Sequence, residues 1–188
     1  MPLTHAILGF LEYQPMTGYD LKKYFDQSIA HFWSATQSHI YKALDGLEED
    51  GLAESVLIPQ EGKPNRKLYQ ITDKGKAELH RWMTTPLPVE TPREAWLIQI
   101  FFAHGSSNEE IAHLFEKRLE AFRELLLQCK IAQGHIDENY KRVQIDRLRE
   151  LWQLTLDYGA DYYEHEIAWL KKTLPRIRHL PALELPKS

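Results

Sequence analysis

A proline-rich segment divides this chain of 188 residues into two stretches with different patterns. Pro86, Pro88 and Pro92 fall within seven residues, and each removes a backbone donor and disfavours helix at the residue before it. We therefore predict a linker here, between a first domain at 1–85 and a second at 92–180. Apolar residues make up 43% of the chain, which is enough to offset the chain entropy lost on folding.

Composition and motifs exclude several classes of protein. The single cysteine, Cys129, excludes an internal disulfide and a cysteine-based zinc site, and its place on an apolar helical face favours an inert buried thiol. No apolar run approaches the ~20 residues that span a bilayer. The first eleven residues also lack the features of a signal peptide, so we expect a cytoplasmic protein with no membrane partner. No metal-binding histidine spacing, nucleophilic serine motif or phosphate-binding glycine loop is present, so we predict no cofactor, no metal and no enzymatic activity.

The first domain begins with three helices. The apolar spacing predicts helices that start near residues 3, 17 and 36, and Thr17 is the N-cap of the second, with Asp20 placed for a capping box. Gly51 is placed to end the third helix in the left-handed conformation. Phe32 and Trp33, between the second and third helices, are predicted to lie in the core because aromatic side chains dominate cores.

A hairpin and a fourth helix complete the first domain. Alternating patterns predict strands over 53–58 and 67–72, with turn residues between them. The fourth helix then runs to about Met83. Three helices, a hairpin with a basic tip and a further helix are the element order of a winged helix-turn-helix.

The second domain has only helical patterns. We predict one helix over 93–103, a second from a cap at Ser107 to about Gln133, and a break at Gly134. The last helix is predicted over 137–174. At 1.5 Å per residue it would be ~57 Å long, so a partner helix must cover it. The fold is therefore mainly α, with an all-helical second domain.

The last predicted helix carries a candidate dimerisation seam. Its positions recur at alternating spacings of four and three residues, as in a coiled coil; they are Leu148, Trp152, Thr155, Gly159, Tyr162, Glu166 and Trp169. Small or polar residues occupy three of these positions. Gly159 leaves open whether the helix is continuous or bent.

Six short motifs in the first 83 residues resemble those of PadR-family transcriptional regulators in order and spacing. They are PMTGYDL (15–21), FW (32–33), QSHIY (37–41), LE (47–48), GL (51–52) and RKLYQIT (66–72). The rest of the chain is similar to the helical virulence-activator-type C-terminal domain found on part of that family. This resemblance implies a homodimeric winged-helix repressor of double-stranded DNA whose C-terminal helices dimerise.

The third helix is the candidate recognition helix. Recognition helices place their N-terminal residues against base edges, and the polar side of this one presents Gln37, Ser38, Tyr41 and Lys42, with His39 nearby. Gln bonds adenine bidentately, Ser serves either partner, and Lys or Tyr takes a phosphate. From the residues alone these side chains are better explained as solvated, and Tyr41 equally well as half core and half surface. The resemblance instead favours DNA contact. Gly46 stands where the family often has an arginine, which removes one candidate backbone contact.

Charge segregation identifies a candidate wing. The net charge of −4 argues against DNA by itself, yet residues 63–76 hold five basic side chains and one acidic, while 45–61 hold six acidic and none basic. Lys67 alternatively lies on the other face of its strand. The tip reads Gly-Lys-Pro at 62–64 where Gly-Arg-Pro is common in the family, a change that keeps the charge. The expected phosphate contacts of the wing are Lys63, Asn65, Arg66 and Lys67.

Two further sets of residues are candidates with an alternative beside each. Thr17, Tyr19 and Lys22 are candidate contacts to the DNA backbone, although Lys22 alternatively pairs with Asp26. Ligand sites favour domain interfaces, so aromatic residues just past the linker are a candidate wall for a small hydrophobic or phenolic effector, the alternative being packing in a dimer interface; these are Trp96, Phe101 and Phe102.

Two functions remain open at this point. The first is a dimeric DNA-binding repressor that reads a palindromic site with one recognition helix per half-site. The second is a winged-helix protein-interaction module without DNA activity, which the acidic total favours.

Overall fold

The computed structural model describes residues 2–29, 32–59, 65–89, 91 and 93–181. The chain forms two compact units, Met1–Val89 and Glu90–Ser188, and the division between them falls inside the proline-rich segment. The mainly helical fold class, a winged helix-turn-helix followed by a helical domain, is confirmed.

The described residues of the first unit form four helices and a small sheet. The sheet is antiparallel with the strand order β1-β3-β2, so that β3 is its centre. The strand β1 was not predicted, because two residues are too few to show an alternating pattern. The elements are α1 (Pro2–Tyr13), β1 (Met16–Thr17), α2 (Gly18–Ser28), α3 (Gln37–Glu49), β2 (Ala53–Ile58), β3 (Arg66–Ile71) and α4 (Asp73–Met83).

Local capping signals fix the ends of α2 and α3. The Thr17 hydroxyl accepts a hydrogen bond from the Asp20 backbone N–H at 3.2 Å, and the Asp20 carboxylate accepts one from the Thr17 N–H at 3.4 Å. The Thr36 hydroxyl accepts from the backbone N–H of His39 at 3.3 Å. Gly51 follows α3 with φ of 65°, in the region that glycine adopts without steric cost. The predicted capping box and glycine stop are confirmed.

The core of the first unit determines which side of α3 faces outward. Ile40, Leu44 and Leu47 are completely buried, so the opposite side of α3 is left to solvent. The prediction that Phe32 and Trp33 lie in the core is wrong, because they remain 49% and 41% exposed. They belong to the irregular segment before α3, while side chains from α1, α2, α3 and β3 already fill the core.

The described part of the second unit is built on a long helical hairpin. Its elements are α5 (Ala95–Phe101), a 3₁₀ turn (Ala103–Gly105), α6 (Asn108–Val143) and α7 (Asp146–Arg178). The two long helices extend for ~54 and ~50 Å at 1.5 Å per residue. The Asn108 side chain bonds the Leu180 carbonyl at 3.0 Å, so the start of α6 meets the end of α7. The partner that the long helix requires is therefore α6 of the same chain.

The predicted break at Gly134 and the predicted helix start at Asp137 are both wrong, because α6 continues through them. A lone glycine inside a helix costs only about 1 kcal/mol relative to alanine. Directly beside it, the Gln133 and Gln153 side-chain amides exchange two hydrogen bonds of 2.9 Å across the hairpin. The turn comes instead at Gln144, whose φ is 51°, and no glycine or proline marks it in the sequence.

The helix α7 is continuous through Gly159, which is buried. It also extends past the predicted end at Leu174, through Pro175, to Arg178. The residues that α7 buries against α6 recur at spacings of three and four residues. Among them are Leu156, Gly159, Tyr163, Ile167 and Leu170.

Candidate nucleic-acid interface

The first turns of α3 present a continuous polar surface. The burial of the apolar side of α3 leaves all five predicted recognition residues exposed; they are Gln37, Ser38, His39, Tyr41 and Lys42. Thr36 caps the helix immediately before them. An exposed polar set at the N-terminal end of the third helix is the arrangement by which helix-turn-helix proteins read base edges.

Tyr41 lies partly against α2. Its side chain is 40% exposed, and its ring packs on Gly18, the first residue of α2. A Cβ atom placed on Gly18 would be 2.6 Å from Cε1 and 2.8 Å from Cζ of Tyr41. The tyrosine therefore has one supported side and one exposed side, which accounts for both interpretations that the sequence left open.

Lys67 is tied to the recognition helix. Its Nζ donates to Glu48 Oε2 at 2.9 Å, and the Ser55 hydroxyl donates to the other carboxylate oxygen of Glu48. The hydrogen bonds from Ser55 and then Lys67 lower the pKa of Glu48, and the bond to Glu48 raises the pKa of Lys67. An exposed ion pair of this kind contributes at most about 1 kcal/mol. Its consequence is geometric, since it joins β2 and β3 to the last turn of α3.

Two further lysines of the basic run are also engaged within the unit. Lys76 pairs with Asp73 at 3.1 Å, and Lys74 donates to the Asp50 carbonyl at 2.6 Å. Arg66 is exposed at the start of β3, and within the described ranges no ion pair involves it. Asn65 is exposed beside it. Lys63 lies outside the described residues.

The candidate backbone contacts on α2 differ in accessibility. Thr17 is buried, and its hydroxyl donates to Asp20 at 2.7 Å, so its polar group serves the helix cap. Lys22 pairs with Asp26, the alternative that the sequence left open. Tyr19 is exposed and is the member of this set that the surface presents.

The aromatic residues proposed as an effector wall separate into two groups. The Trp96 ring lies 5.8 Å from that of Phe115 and 5.7 Å from that of Trp169, edge-on to both. Trp96 is therefore partly buried, packed against the core of the second unit. Phe101 and Phe102 lie edge to face at 5.0 Å, and both are largely exposed.

An arginine also packs on the Trp96 ring. The Arg118 guanidinium lies over the Trp96 ring, 4.2 Å from its centre, and pairs with Glu94 at 3.0 Å. The same guanidinium lies 4.9 Å from the centre of the Phe122 ring. Cation–π contacts of this kind hold α5 on the long hairpin.

A second apolar stripe follows α7 on a side that α6 does not cover. Leu151, Leu154 and Tyr158 recur at spacings of three and four residues, and Tyr158 is 75% exposed. The predicted seam lies between this stripe and the buried one. Of its members, Leu148 and Trp152 are partly buried and Thr155 is exposed. Two others contact rings of α6 and remain partly exposed, namely Tyr162 on Phe122 and Trp169 on Phe115.

The fold and the polar face of α3 define a winged helix-turn-helix protein with a helical second domain. The model of the transcriptional regulator PadR-like family matches residues 7–81, and that of the virulence activator alpha C-terminal domain matches residues 92–178. Residues 7–81 therefore form a domain of the PadR-like family of transcriptional regulators, and residues 92–178 form a domain of the virulence-activator type.

Two curated relatives are regulators. The negative transcriptional regulator PadR of Bacillus subtilis is 35% identical over 119 residues, which are 63% of this chain and 65% of that protein. The probable transcriptional regulator Rv1176c of Mycobacterium tuberculosis is 42% identical over 92 residues, 49% of each chain. The chain thus spans less than two thirds of the length of either relative.

Solved structures of similar proteins extend over almost the whole chain. Bacillus subtilis PadR in complex with operator DNA has a TM-score of 0.79 at 29% identity, covering 94% of this chain and 98% of that one. The same protein in complex with p-coumaric acid has a TM-score of 0.70 at 25% identity, covering 95% of this chain and 96% of that one. The Vibrio cholerae virulence activator AphA gives 0.74 at 26% identity, covering 93% and 97%.

Two other kinds of site are absent from the described ranges. No helix there has the length and apolar character that crossing a membrane requires. No three side chains of His, Cys, Asp or Glu come together there as metal ligands do.

Proposed function

We propose that this chain is a sequence-specific DNA-binding repressor that acts in the cytoplasm as a homodimer on a palindromic operator. The observation that carries the proposal is the exposed polar face of α3 in a fold that matches an operator-bound regulator over 98% of that chain. Repression is favoured because a relative at 35% identity is a negative regulator. In this role the chain acts by binding and not as an enzyme.

In the proposed complex, α3 of each copy enters the major groove of one half-site. Gln37 and Ser38 lie at the helix N-terminus, where base edges are read, and a Gln side chain bonds adenine bidentately. Lys42 and Tyr41 are placed to take phosphates, which fix the register of the protein on the duplex. His39 lies beside them on the same exposed turn.

In the proposed complex, the wing contacts the DNA backbone through only a few cationic side chains. We assign Arg66, Asn65 and Lys63 to phosphates. Lys67 is instead assigned to orienting the hairpin, since its ammonium is paired with Glu48 at 2.9 Å. Tyr19 is the α2 side chain that remains available for a backbone contact.

The dimer is assigned to the uncovered side of the long hairpin. Leu151, Leu154 and Tyr158 form an exposed apolar stripe along α7, and stripes of this kind mark interfaces. The neighbouring seam residues widen this surface; they are Leu148, Trp152, Thr155, Tyr162 and Trp169. Two copies are required because each copy offers one recognition helix for one half-site.

A small hydrophobic or phenolic effector is proposed to release the repressor. This rests on the likeness to PadR in complex with p-coumaric acid and on aromatic side chains of the second unit, namely the exposed Phe101 and Phe102 and the partly buried Trp96. Titration with p-coumaric acid should change the tryptophan fluorescence and release operator DNA. A flat response across a set of phenolic compounds would remove the effector from the proposal.

A gel shift against the protein's own promoter region tests the DNA function. The repressor should shift one fragment specifically, and its affinity should fall steeply between two salt concentrations, since log–log slopes are about −0.9 per neutralised phosphate. The Gln37→Ala variant should relax preference at one base position, at a cost of ~1–3 kcal/mol. No shift with any operator-sized genomic fragment would instead favour the protein-interaction module. A reporter fused to the promoter should rise when the gene is deleted; a fall would indicate an activator.

A further inference from the structure

Gly18 is buried at the point where α2 begins, and it is in direct contact with the recognition helix. A Cβ atom at this position would lie 2.6 Å from Cε1, 2.8 Å from Cζ and 3.2 Å from the hydroxyl oxygen of Tyr41. Real Cβ atoms essentially never come within 3.0 Å of a neighbour. Any side chain at Gly18 therefore has to displace either the α2 backbone or the tyrosine ring.

The α2 backbone is held on both sides of the contact. Thr17 pairs with Leu68 of β3, and the capping box between Thr17 and Asp20 closes around Gly18. The Tyr41 ring, in contrast, is the far end of a flexible side chain and is 40% exposed. A methyl group at Gly18 is thus accommodated by rotation of the ring, which carries the phenol hydroxyl away from its place on the α3 surface.

The contact distinguishes Gly18 from other helical glycines. A Cβ atom added to Gly9 in α1 or to Gly46 in α3 would meet no atom within 4 Å, so alanine is tolerated at both. At Gly75 the obstructing atom is the Leu52 carbonyl oxygen, at 2.0 Å, which belongs to the backbone. At Gly18, by contrast, the group that has to move is the Tyr41 side chain, which we propose contacts DNA.

We propose that Gly18 is a positioning residue for operator binding: its lack of a side chain sets the Tyr41 phenol where it donates to one DNA phosphate per half-site. The proposal rests on the proposed DNA-binding function. Gly18 makes no DNA contact in this role and acts only through Tyr41. Removing the hydroxyl and displacing the ring must then have the same effect on the operator complex.

A double-mutant cycle on operator affinity tests this. Gly18→Ala and Tyr41→Phe should each weaken binding by about 10- to 150-fold per half-site, the range for one hydrogen bond to a charged group. The double variant should bind no more weakly than Tyr41→Phe alone, because the hydroxyl is already absent. Gly9→Ala is the matched control and should bind as the wild type does. Melting temperature should change little in Gly18→Ala, since alanine is the better helix former.

Two results on affinity would overturn the proposal. Wild-type affinity in Gly18→Ala shows that the ring does not depend on the glycine, and additive losses in the double variant show that Gly18 acts independently of Tyr41. If Gly18→Ala melts at a clearly lower temperature, Tyr41→Ala is added; the melting temperature should recover, and its failure to recover contradicts the steric argument. If the wild type does not bind the operator, the proposed function is wrong. The comparison of melting temperatures between Gly18→Ala and its combination with Tyr41→Ala still tests the steric contact between Gly18 and the Tyr41 ring.

Discussion

Replacement of Arg66 should flatten the salt dependence of operator binding. Arg66 is exposed at the first residue of β3, and none of the ion pairs found among the described residues involves it. Each phosphate that a protein neutralises adds about 0.9 to the slope of log K against log salt. A dimer presents Arg66 twice, so Arg66→Ala should reduce the slope by about 1.8. Between 50 and 200 mM salt, the wild type should then lose about 12-fold more affinity than the variant.

The neighbouring lysine supplies the informative comparison. The ammonium of Lys67 is paired with Glu48, so Lys67→Ala should change the slope by less than half as much as Arg66→Ala does. Lys171→Ala, an exposed position on α7, removes the same charge from the other unit and should leave the slope unchanged. Fluorescence anisotropy with a labelled operator fragment at three salt concentrations gives all four slopes.

Three outcomes of this series would refute the reasoning. An unchanged slope for Arg66→Ala would show that the wing does not reach the DNA backbone. Equal changes for Arg66→Ala and Lys67→Ala would show that the pair with Glu48 opens on the operator. A change for Lys171→Ala would show that total charge, and not the wing, sets the salt dependence.

Three other substitutions test the fold, the assembly and the response to acid. Gly75→Ala places a Cβ 2.0 Å from the Leu52 carbonyl oxygen. Urea denaturation should therefore show that the free energy of unfolding falls by ~1–3 kcal/mol, the usual cost of overpacking. Leu154→Asp, at an exposed site on α7, should leave the circular dichroism unchanged and yield monomers by light scattering; a stable dimer would place the interface elsewhere. The hydrogen bond from Arg81 lowers the pKa of Glu78 from 4.5 to about 2. The ionised Glu78 carboxylate therefore contributes its full stabilisation above pH 4.5, and this contribution is lost as the pH falls towards 2. The free energy of unfolding should depend less on pH over this range in Glu78→Gln.

Local features of the fold were predictable because their signals lie within a few residues of one another. A Thr-x-x-Asp pattern around Thr17 forms its capping box, and a glycine at Gly51 takes the positive φ that ends α3. The strand predicted over 53–58 is observed as Ala53–Ile58, because alternation and turn residues bound it on both sides. Each of these features is decided by chain segments shorter than ten residues.

Features that depend on distant partners were not predictable. The hydrogen bonds between Gln133 and Gln153 join residues 20 positions apart, and they help α6 to continue where the glycine at 134 predicted its end. The end of α6 is set by a positive φ at Gln144, a residue with no strong turn preference. Helix length in the second unit thus follows from packing between α6 and α7, which no local pattern encodes.

The candidate site also combines features that the sequence predicts with features that it does not. The exposed face of α3 follows from the apolar stripe on its other side, so its polar residues were identifiable from the sequence. The pairing of Lys67 with Glu48 spans 19 positions, and the contact of Tyr41 with Gly18 joins two different helices. All four residues lie within the family motifs, but the motifs give only their order along the chain and not which side chains are in contact.

The distribution of free charge determines how such a protein reaches specificity. Lys67 and Lys76 are paired with carboxylates, and Lys74 is bound to a backbone carbonyl. Two of the five basic side chains at 63–76 are therefore already paired with carboxylates before any DNA arrives. Because non-specific affinity grows with the number of phosphates neutralised, one copy should bind random DNA weakly. Under the proposed function, operator affinity should then depend on two half-sites bound together by the two copies.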